Sequence, residues 1–470
     1  MRKFLRELHS VASCVNIKDA NVGVARELSL EPQITSTYGY IDTSKSLDEL
    51  SAANLFTASE LLNPMGVMHD DPDRTAMSYK QTKYMVPVQD ADPVLIGNKV
   101  ESVVPYLLSD EFIVDAKEDG VVLDVSEGYC IIEYKSGKRQ AINIAPRAQK
   151  NSSAGFWIDN TLVCDLKPGD KFKQGDILAY NNKHFSKNAE DIGASMNLGV
   201  LCKIAISSQW DVFEDSAPIS KRLSEKLTTE MVDEKSITFS PYTYVDYMVN
   251  VGDTIKAGEP LIVFSDAMNE EIQKGLAGLR DANREAVVES AKTSVSSKYT
   301  GEILDIKVYT TSELEDLDPS LQKVVQNYWD RIEKKNAVLA KYENPGDLNY
   351  YKAGQVISEI AEVIKPEKSD KLRGAILKPG DVLILFYIKY NVPASKGDKI
   401  VCSVCKGIIS HVFEEGMEPY SEYRPEEPID TIVAPLAVAA RKVPAIFLTI
   451  FGNKLLIELK KQLEEIYLDN

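Results

Sequence analysis

The sequence predicts a mixed α/β, β-rich, multidomain fold, and three observations predict it. With 470 residues, the chain has length for roughly three domains, each with its own core. Residues 86–145 run in short apolar alternations broken by glycine, such as GVVLDV and YCIIEYKSGK. That is the period-two signature of half-buried strands, with Ser136 and Gly137 supplying a hairpin turn. Third, one theme recurs along the chain: LKPGDKFKQGDILAY (166–180), VNVGDTIKAGEPLIVF (249–264), LKPGDVLILFYI (377–388) and SKGDKIV (395–401). Each joins a Gly-Asp turn to an extended apolar run. The glycine supplies a positive φ and the aspartate caps the turn, as at the corners of barrels or sandwiches.

The remaining elements follow in order. Residues 1–44 are mixed and loop-rich. The segment SLDELSAANLFTASELL predicts a helix with Ser46 as N-cap and Asn63-Pro64 as its stop. Residues 267–292 read as a highly charged amphipathic helix. A second helix over 319–342 starts at Asp318-Pro319, a good N-cap and first-turn pair. It carries Leu321, Val324, Val325, Tyr328 and Ile332 on one face with Trp329 beside them, and Asn344-Pro345-Gly346 ends it. Its stripe fits either packing on its own domain or a partner-binding face. Gly452-Asn453 precedes a final charged helix, KLLIELKKQLEEIY.

Composition bounds the function. Lys and Arg number 54 against 71 Asp and Glu, a net charge of −17. This argues against a free-standing nucleic-acid binder, although a subunit can still lend a few basic residues to a shared channel. Six scattered cysteines, Cys14, Cys130, Cys164, Cys202, Cys402 and Cys405, fit a reducing compartment rather than a disulfide framework. The charged start MRKFLRELHS is no signal peptide. The most apolar stretch, 429–457, is cut by Pro435, Arg441, Lys442 and Pro444 and cannot span a membrane. There is no GK[ST] phosphate loop, no GxGxxG and no HExxH. Cys402-x-x-Cys405 is at most half a zinc site, with His411 as one further ligand; small apolar side chains beside a loop account for it better.

Two segments carry chemistry. KGDKIVCSVCKG (396–407) places Lys399 and Lys406 in a tight loop, and WDVFEDS (210–216) places Glu214 and Asp215 after a strand-like run. Phosphoryl and nucleotidyl transfer need cations on the phosphates and carboxylates near a divalent cation. For a single lysine the alternative is a solvated charge; for Glu214-Asp215 it is a helix N-cap.

Five blocks, in order, resemble the C-terminal half of the β subunit of multisubunit DNA-dependent RNA polymerases. NVGVARELSLEPQITSTYGYIDT (21–43) is similar to the family's NxGLI…YGFIET region. HDDPDRTAM (69–77) with VPV (86–88) resembles HDDANRALMGANMQRQAVP with its spacing intact. LGVLCKIAISSQWDVFEDSAPISKRL (198–223) resembles the LGxNxxVAfmpWxGyNFEDsillSerl block, and the stretch from Lys396 resembles GDKmagRHGNKGvvS. MEP…PIDTIVAPLAVAAR (417–441) is similar to DMPyl…PvDivlNPlgVpsR.

The resemblance implies a double-psi β-barrel assembled from 151–224 and 391–455, with a flap inserted at 225–390. It also implies a fork-like region with a β-rich extension at 1–150 and a terminal helix at 456–470. It implies that Lys399 and Lys406 contact the RNA 3′ end and the incoming nucleotide. Asp215 with Glu214 would lie by a second Mg²⁺, touching it indirectly, with Arg441 and Arg74 around the triphosphate and Lys83 near the nucleic acid. Two departures stand out. CSVC replaces RHGN between the lysines, one residue shorter, and Lys80, Thr82, Lys83 and Tyr84 replace the polar N-x-QRQ set.

No NADFDGD triad is present, so the primary Mg²⁺ is expected in a partner subunit and this chain alone is expected to be inactive. The start at Met1 and the end at Asn470 suggest a subunit divided into separate polypeptides, similar to those of giant bacteriophages. The implied partners are an N-terminal β-like fragment, β′-like chains, a promoter-specificity factor docking on the flap helix 319–342, DNA template, RNA product and NTPs, with no membrane. The expected location is the cytoplasm, the host's for a phage-encoded chain, or the virion. Two alternatives stand beside this one: a noncatalytic scaffold of a polymerase complex, and an unrelated barrel-type carrier suggested by the Gly-Asp corners alone.

Overall fold

The structure, a computed structural model, describes residues 8, 10–14, 17–19, 23–25, 27–42, 44, 47–72, 74–75, 82, 85–108, 110–150, 156–188, 193–209, 212–265, 292–342, 371–372, 375–376, 378, 380–402 and 405–468. The expected helix over 267–292, apart from Lys292, and the stop at Asn344-Pro345-Gly346 lie outside the described residues, as does Lys83. The chain is β-rich with several helices and many small sheets. It divides into two compact units: Met1–Leu108, Lys183–Thr229 and Pro393–Asn470 form one, and Ser109–Asn182 with Glu230–Val392 form the other.

The second unit is built around a six-stranded sheet in the order Thr254–Ile255, Gly301–Thr310, Val382–Val392, Thr229–Phe239, Trp157–Asp159, Ala148–Lys150. The unbroken apolar run VLILFYI explains its centre, because a strand covered on both faces has no polar side. Val382, Ile384, Phe386 and Ile388 enter one core, while Leu383, Leu385 and Tyr387 enter another. The helix Pro319–Tyr342 forms as its cap and stripe predict, with Asp318 Oδ1 accepting from the Ser320 N–H at 2.8 Å. Leu321, Val324, Val325, Tyr328, Ile332 and Leu339 are all buried in the same core as the sheet. The stripe is therefore packing surface, and the helix has no apolar face left to dock a partner.

The expected hairpin is present: Tyr129–Tyr134 pairs antiparallel with Arg139–Asn143 around Gly137 at φ 81°. Five of the Gly-acid corners share one geometry. Gly169, Gly175, Gly252, Gly258 and Gly397 sit at φ 89–96°. Each following acid, Asp170, Asp176, Asp253, Glu259 or Asp398, accepts from the N–H three residues back at 2.7–2.8 Å.

In the first unit the central five-stranded sheet runs Ile204–Ile206, Thr431–Val433, Ser216–Ser220, Cys405–Phe413, Lys399–Cys402. Ser216–Ser220 lies parallel to Cys405–Phe413, and Ile204–Ile206 parallel to Thr431–Val433. Asp430 pins three of these segments. Its buried carboxylate accepts from the Lys203 N–H at 2.8 Å, from Ser220 Oγ at 3.0 Å and from Arg222 at 2.7 and 2.8 Å. Residues 230–392 interrupt this unit in sequence. On either side of the interruption, Ser224 and Ala394 exchange two hydrogen bonds, Ser224 Oγ to the Ala394 carbonyl at 2.6 Å and the Ala394 N–H to the Ser224 carbonyl at 3.2 Å.

Two helix expectations are corrected. The segment from Ser46 is not one helix; it breaks into Leu47–Glu49, Ala52–Leu55 and Ala58–Leu61. Thr57 restarts the last piece with a capping box, accepting from the Glu60 N–H while Glu60 accepts from the Thr57 N–H at 2.7 Å. The final helix does not begin after Gly452-Asn453 but runs unbroken over Ala445–Leu468. Gly452 acts there as a packing residue, since a Cβ on it would meet Ile96 at 3.2 Å. Among the described residues, no helix is long and apolar enough to cross a membrane.

Candidate functional site

The hairpin Lys399–Cys402 and Cys405–Phe413 follows from the alternation in its own sequence. Its register pairs Lys399 with Ile408, Ile400 with Gly407, Val401 with Lys406 and Cys402 with Cys405. Side chains directly opposite share a face. Lys399, Val401, Lys406 and Ile408 therefore fall on one face, and all four are exposed. Ile400, Cys402, Cys405 and Gly407 turn inward. The two lysines become diagonal neighbours, with Cα atoms about 7–8 Å apart. Neither makes an ion pair or side-chain hydrogen bond among the described residues. Like charges this close, without a counter-ion, form a surface suited to an anion.

Glu214 and Asp215 occupy a tight turn over 213–216. The Ser216 N–H donates to the Phe213 carbonyl at 3.0 Å, and Ser216 Oγ accepts from the Phe213 N–H at 2.7 Å. Glu214 adopts φ 53°, the left-handed region that a residue with a Cβ enters only under constraint. The pair is not a helix N-cap; Ser220 takes that role, its Oγ accepting from the Leu223 N–H at 3.0 Å. The acidic turn is seated on the hairpin. The Ile408 N–H donates to the Asp215 carbonyl at 2.8 Å. A Cβ at Gly407 would lie 2.8 Å from that same carbonyl oxygen, so only glycine admits this approach.

Glu214, Asp215, Cys402, Cys405, Lys406 and Gly407 thus line one cavity of about 20 Å³. That is room for about one or two waters, so anything larger binds across its mouth. Asp215 forms an ion pair with Arg441, whose side chain is 13% exposed. Arg441 also donates to the Ala437 carbonyl at 3.3 Å and lies beside the Cys405 thiol, whose pKa is raised by burial against the opposing effect of the Arg441 charge. Arg74 is half-buried on the segment after Gly66–His69. That segment is tied to the residues following Arg441: the Asp71 N–H donates to the Lys442 carbonyl at 3.1 Å, and Asp70 Oδ1 accepts from the Ala445 N–H at 2.9 Å. Burial pushes the Asp70 carboxyl above its ordinary value.

The structure therefore pairs Asp215 with Arg441, sets Lys406 with Glu214 and Asp215 in the lining of one cavity, turns the Lys399 and Lys406 side chains to the hairpin face opposite Cys405, and sets Arg74 on a segment bonded beside Arg441. Burial pushes the Cys402 and Cys405 thiols above their ordinary value. Among the described residues no group of three or more His, Cys, Asp or Glu is arranged to hold a metal. Sequence reasoning missed two contributors: the inward contact of Cys405 with Arg441, and the close approach at Gly407. The signal for the first was the hairpin's own alternation, which sends the cysteines to the side opposite the lysines.

The chain is similar to bacterial RNA polymerase β subunits. It is 25% identical over 300 aligned positions, covering 57% of the chain, to the DNA-directed RNA polymerase subunit beta of Clostridioides difficile (strain 630). It is 23% identical over 291 positions, covering 55% of the chain, to the corresponding subunit of Acetivibrio thermocellus. The matched stretch spans 23% and 22% of those two relatives, under a quarter of their length. No family model matches.

Proposed function

We propose that this chain is a β-like fragment of a multisubunit DNA-directed RNA polymerase, a nucleotidyltransferase that works only with partner chains. The observation that carries the reading is the parallel pairing of Ser216–Ser220 with Cys405–Phe413, which seats the acidic turn on the two-lysine hairpin. Nucleotide addition needs positive charge fixed where negative charge develops, so that nothing reorganises at the moment of reaction. In this reading Lys399 and Lys406 face the RNA 3′ end and the incoming nucleotide, Arg441 and Arg74 face the triphosphate, and Lys83 lies by the nucleic acid. The sheet of the first unit belongs to a double-psi-type barrel, and residues 225–390 stand as its flap.

Magnesium is the implied cofactor. Its preference for oxygen ligands fits Glu214, which is exposed and has no partner among the described residues, and Asp215, which is bound to Arg441. Two carboxylates are too few for a dedicated cage, so they suit an indirect contact, with the primary ion held by a partner chain. The ion would screen phosphate charge; Lys399, Lys406 and Arg441 do the same with fixed side chains.

The implied partners are β′-like chains, an N-terminal β-like fragment, a promoter-specificity factor, DNA, RNA and NTPs, in a subunit split as in giant bacteriophages and acting in the host cytoplasm or the virion. The exposed apolar residues of Ala445–Leu468 support the assembly part of this reading. The test is purification of the tagged chain from its native or infected cells, followed by template-dependent ribonucleotide incorporation. Activity in the complex that falls at least about a hundredfold in Lys406→Ala supports a catalytic subunit. Activity untouched by Lys406→Ala favours a noncatalytic scaffold, a reading motivated by the replacement of RHGN with CSVC. Absence of large partners and of activity overturns both.

A further inference from the structure

The Asp215–Arg441 ion pair joins two groups that a nucleotide site uses separately. The carboxylate seeks a cation and the guanidinium seeks a phosphate, yet here each is the other's counter-ion. The pair is only partly solvated, with the Arg441 side chain 13% and the Asp215 side chain 35% exposed. Removing one partner from such a pair leaves the other poorly compensated. A bare anion that captured Arg441 would strand Asp215, and a bare cation that captured Asp215 would strand Arg441. A chelate presenting cation and anion together replaces both counter-ions at once.

The two sides of the pair are not equally fixed. Arg441 keeps two further contacts, the Ala437 carbonyl and the Cys405 thiol. The backbone of Asp215 is held at the Gly407 approach and by the Ile408 N–H. Only the Asp215 side chain is left to move.

Resting on the nucleotide-site reading above, we infer that Asp215 and Arg441 form a latch that closes the site to polyphosphate or divalent cation alone and yields to their chelate. Opening occurs by rotation of the Asp215 side chain, with Arg441 already oriented by Ala437 and Cys405. A site closed most of the time has its apparent affinity multiplied by its open fraction, a loss of about tenfold for a latch open about a tenth of the time.

The test is calorimetric titration of the full-length chain with inorganic tripolyphosphate, with and without Mg²⁺. The wild type is expected to bind magnesium tripolyphosphate about tenfold tighter than the metal-free anion. Asp215→Asn, with Asp215→Ala as a second variant in case the first does not fold, is expected to tighten metal-free binding about tenfold and to erase most of the Mg²⁺ preference. Glu415→Gln controls for net charge: it removes an exposed negative charge outside the cavity lining without freeing Arg441, and its gain should stay below about twofold. Arg441→Gln on the Asp215→Asn background should cancel the gain. An unchanged metal-free affinity in Asp215→Asn, or an equal gain in Glu415→Gln, overturns the latch. Loss of binding in Lys406→Ala alongside either result leaves the nucleotide-site reading standing. A wild-type chain that binds neither form overturns the latch in this chain, and the incorporation assay then decides the wider reading by itself.

Discussion

Two helices of 24 residues, Pro319–Tyr342 and Ala445–Leu468, meet opposite fates. The first looks polar in sequence and confines its apolar residues to one stripe, and its own unit buries that stripe completely enough that Leu321 and Val325 are inaccessible. The second is richer in large apolar residues, yet only Ala445 and Ile446 are buried. Phe451, Leu455, Leu459 and Leu463 recur every four residues and are all more than half exposed. Hydrophobicity does not decide burial; the presence of a surface to pack against does. A stripe used up within its own fold is architecture, whereas a stripe left open is the surface that the proposed assembly would cover.

The sharpest way to break that contrast is a buried charge. Val325→Asp should cost at least about 4 kcal/mol and unfold its unit. Leu459→Asp should change the stability of the isolated chain by no more than about 0.5 kcal/mol. Denaturant melts of both variants decide the matter, and comparable losses would refute the distinction. Truncation gives a milder version. Leu321→Ala should cost about 2–5 kcal/mol, while Leu463→Ala leaves the lone chain's melt unmoved but reduces the chains that copurify with it.

Acid offers a third lever, because it acts within the unit that carries the open helix. Burial holds His184 neutral, its pKa depressed to about 4 from 6.5. A depressed histidine leaves stability intact above 6.5 and removes it as pH falls toward 4, because the unfolded chain binds the proton first. The loss is up to about 1.4 kcal/mol per pH unit across that window. A pH series of melts should lose this slope in His184→Gln. Smallest is Gly452→Ala. The helical gain of up to about 1 kcal/mol is opposed by the 3.2 Å contact with Ile96, and a net change under about 0.5 kcal/mol is expected in the same melts.

These helices also mark where the sequence was legible. Asp318-Pro319 and a regular stripe announced Pro319–Tyr342, and the Gly-Asp corners declared their own geometry, because caps and turns are local. Whether the stripe faced a core or a partner was not local, and only the sheet around Val382–Val392 answered it. Gly452 read as a breaker because glycine usually is one; its service to Ile96 depends on a residue far away in sequence. The same division holds in the site. Lys399, Lys406, Glu214 and Asp215 were visible as residue types in suggestive runs. The Arg441 contact with Cys405 and the approach over Gly407 needed the hairpin register and the parallel pairing, which no single segment encodes.

The two hydrogen bonds between Ser224 and Ala394 carry a consequence for how such a site comes together and changes. The acidic turn and the hairpin are far apart in the chain, and closing a loop of that length costs entropy that grows only slowly with its size. Once the neck at Ser224 and Ala394 is tied, the parallel strands are neighbours whatever lies between. Loops within 230 to 392 can then lengthen or shrink while the lysines and carboxylates keep their places, whereas its strands stay tied to Trp157–Asp159 in their own sheet.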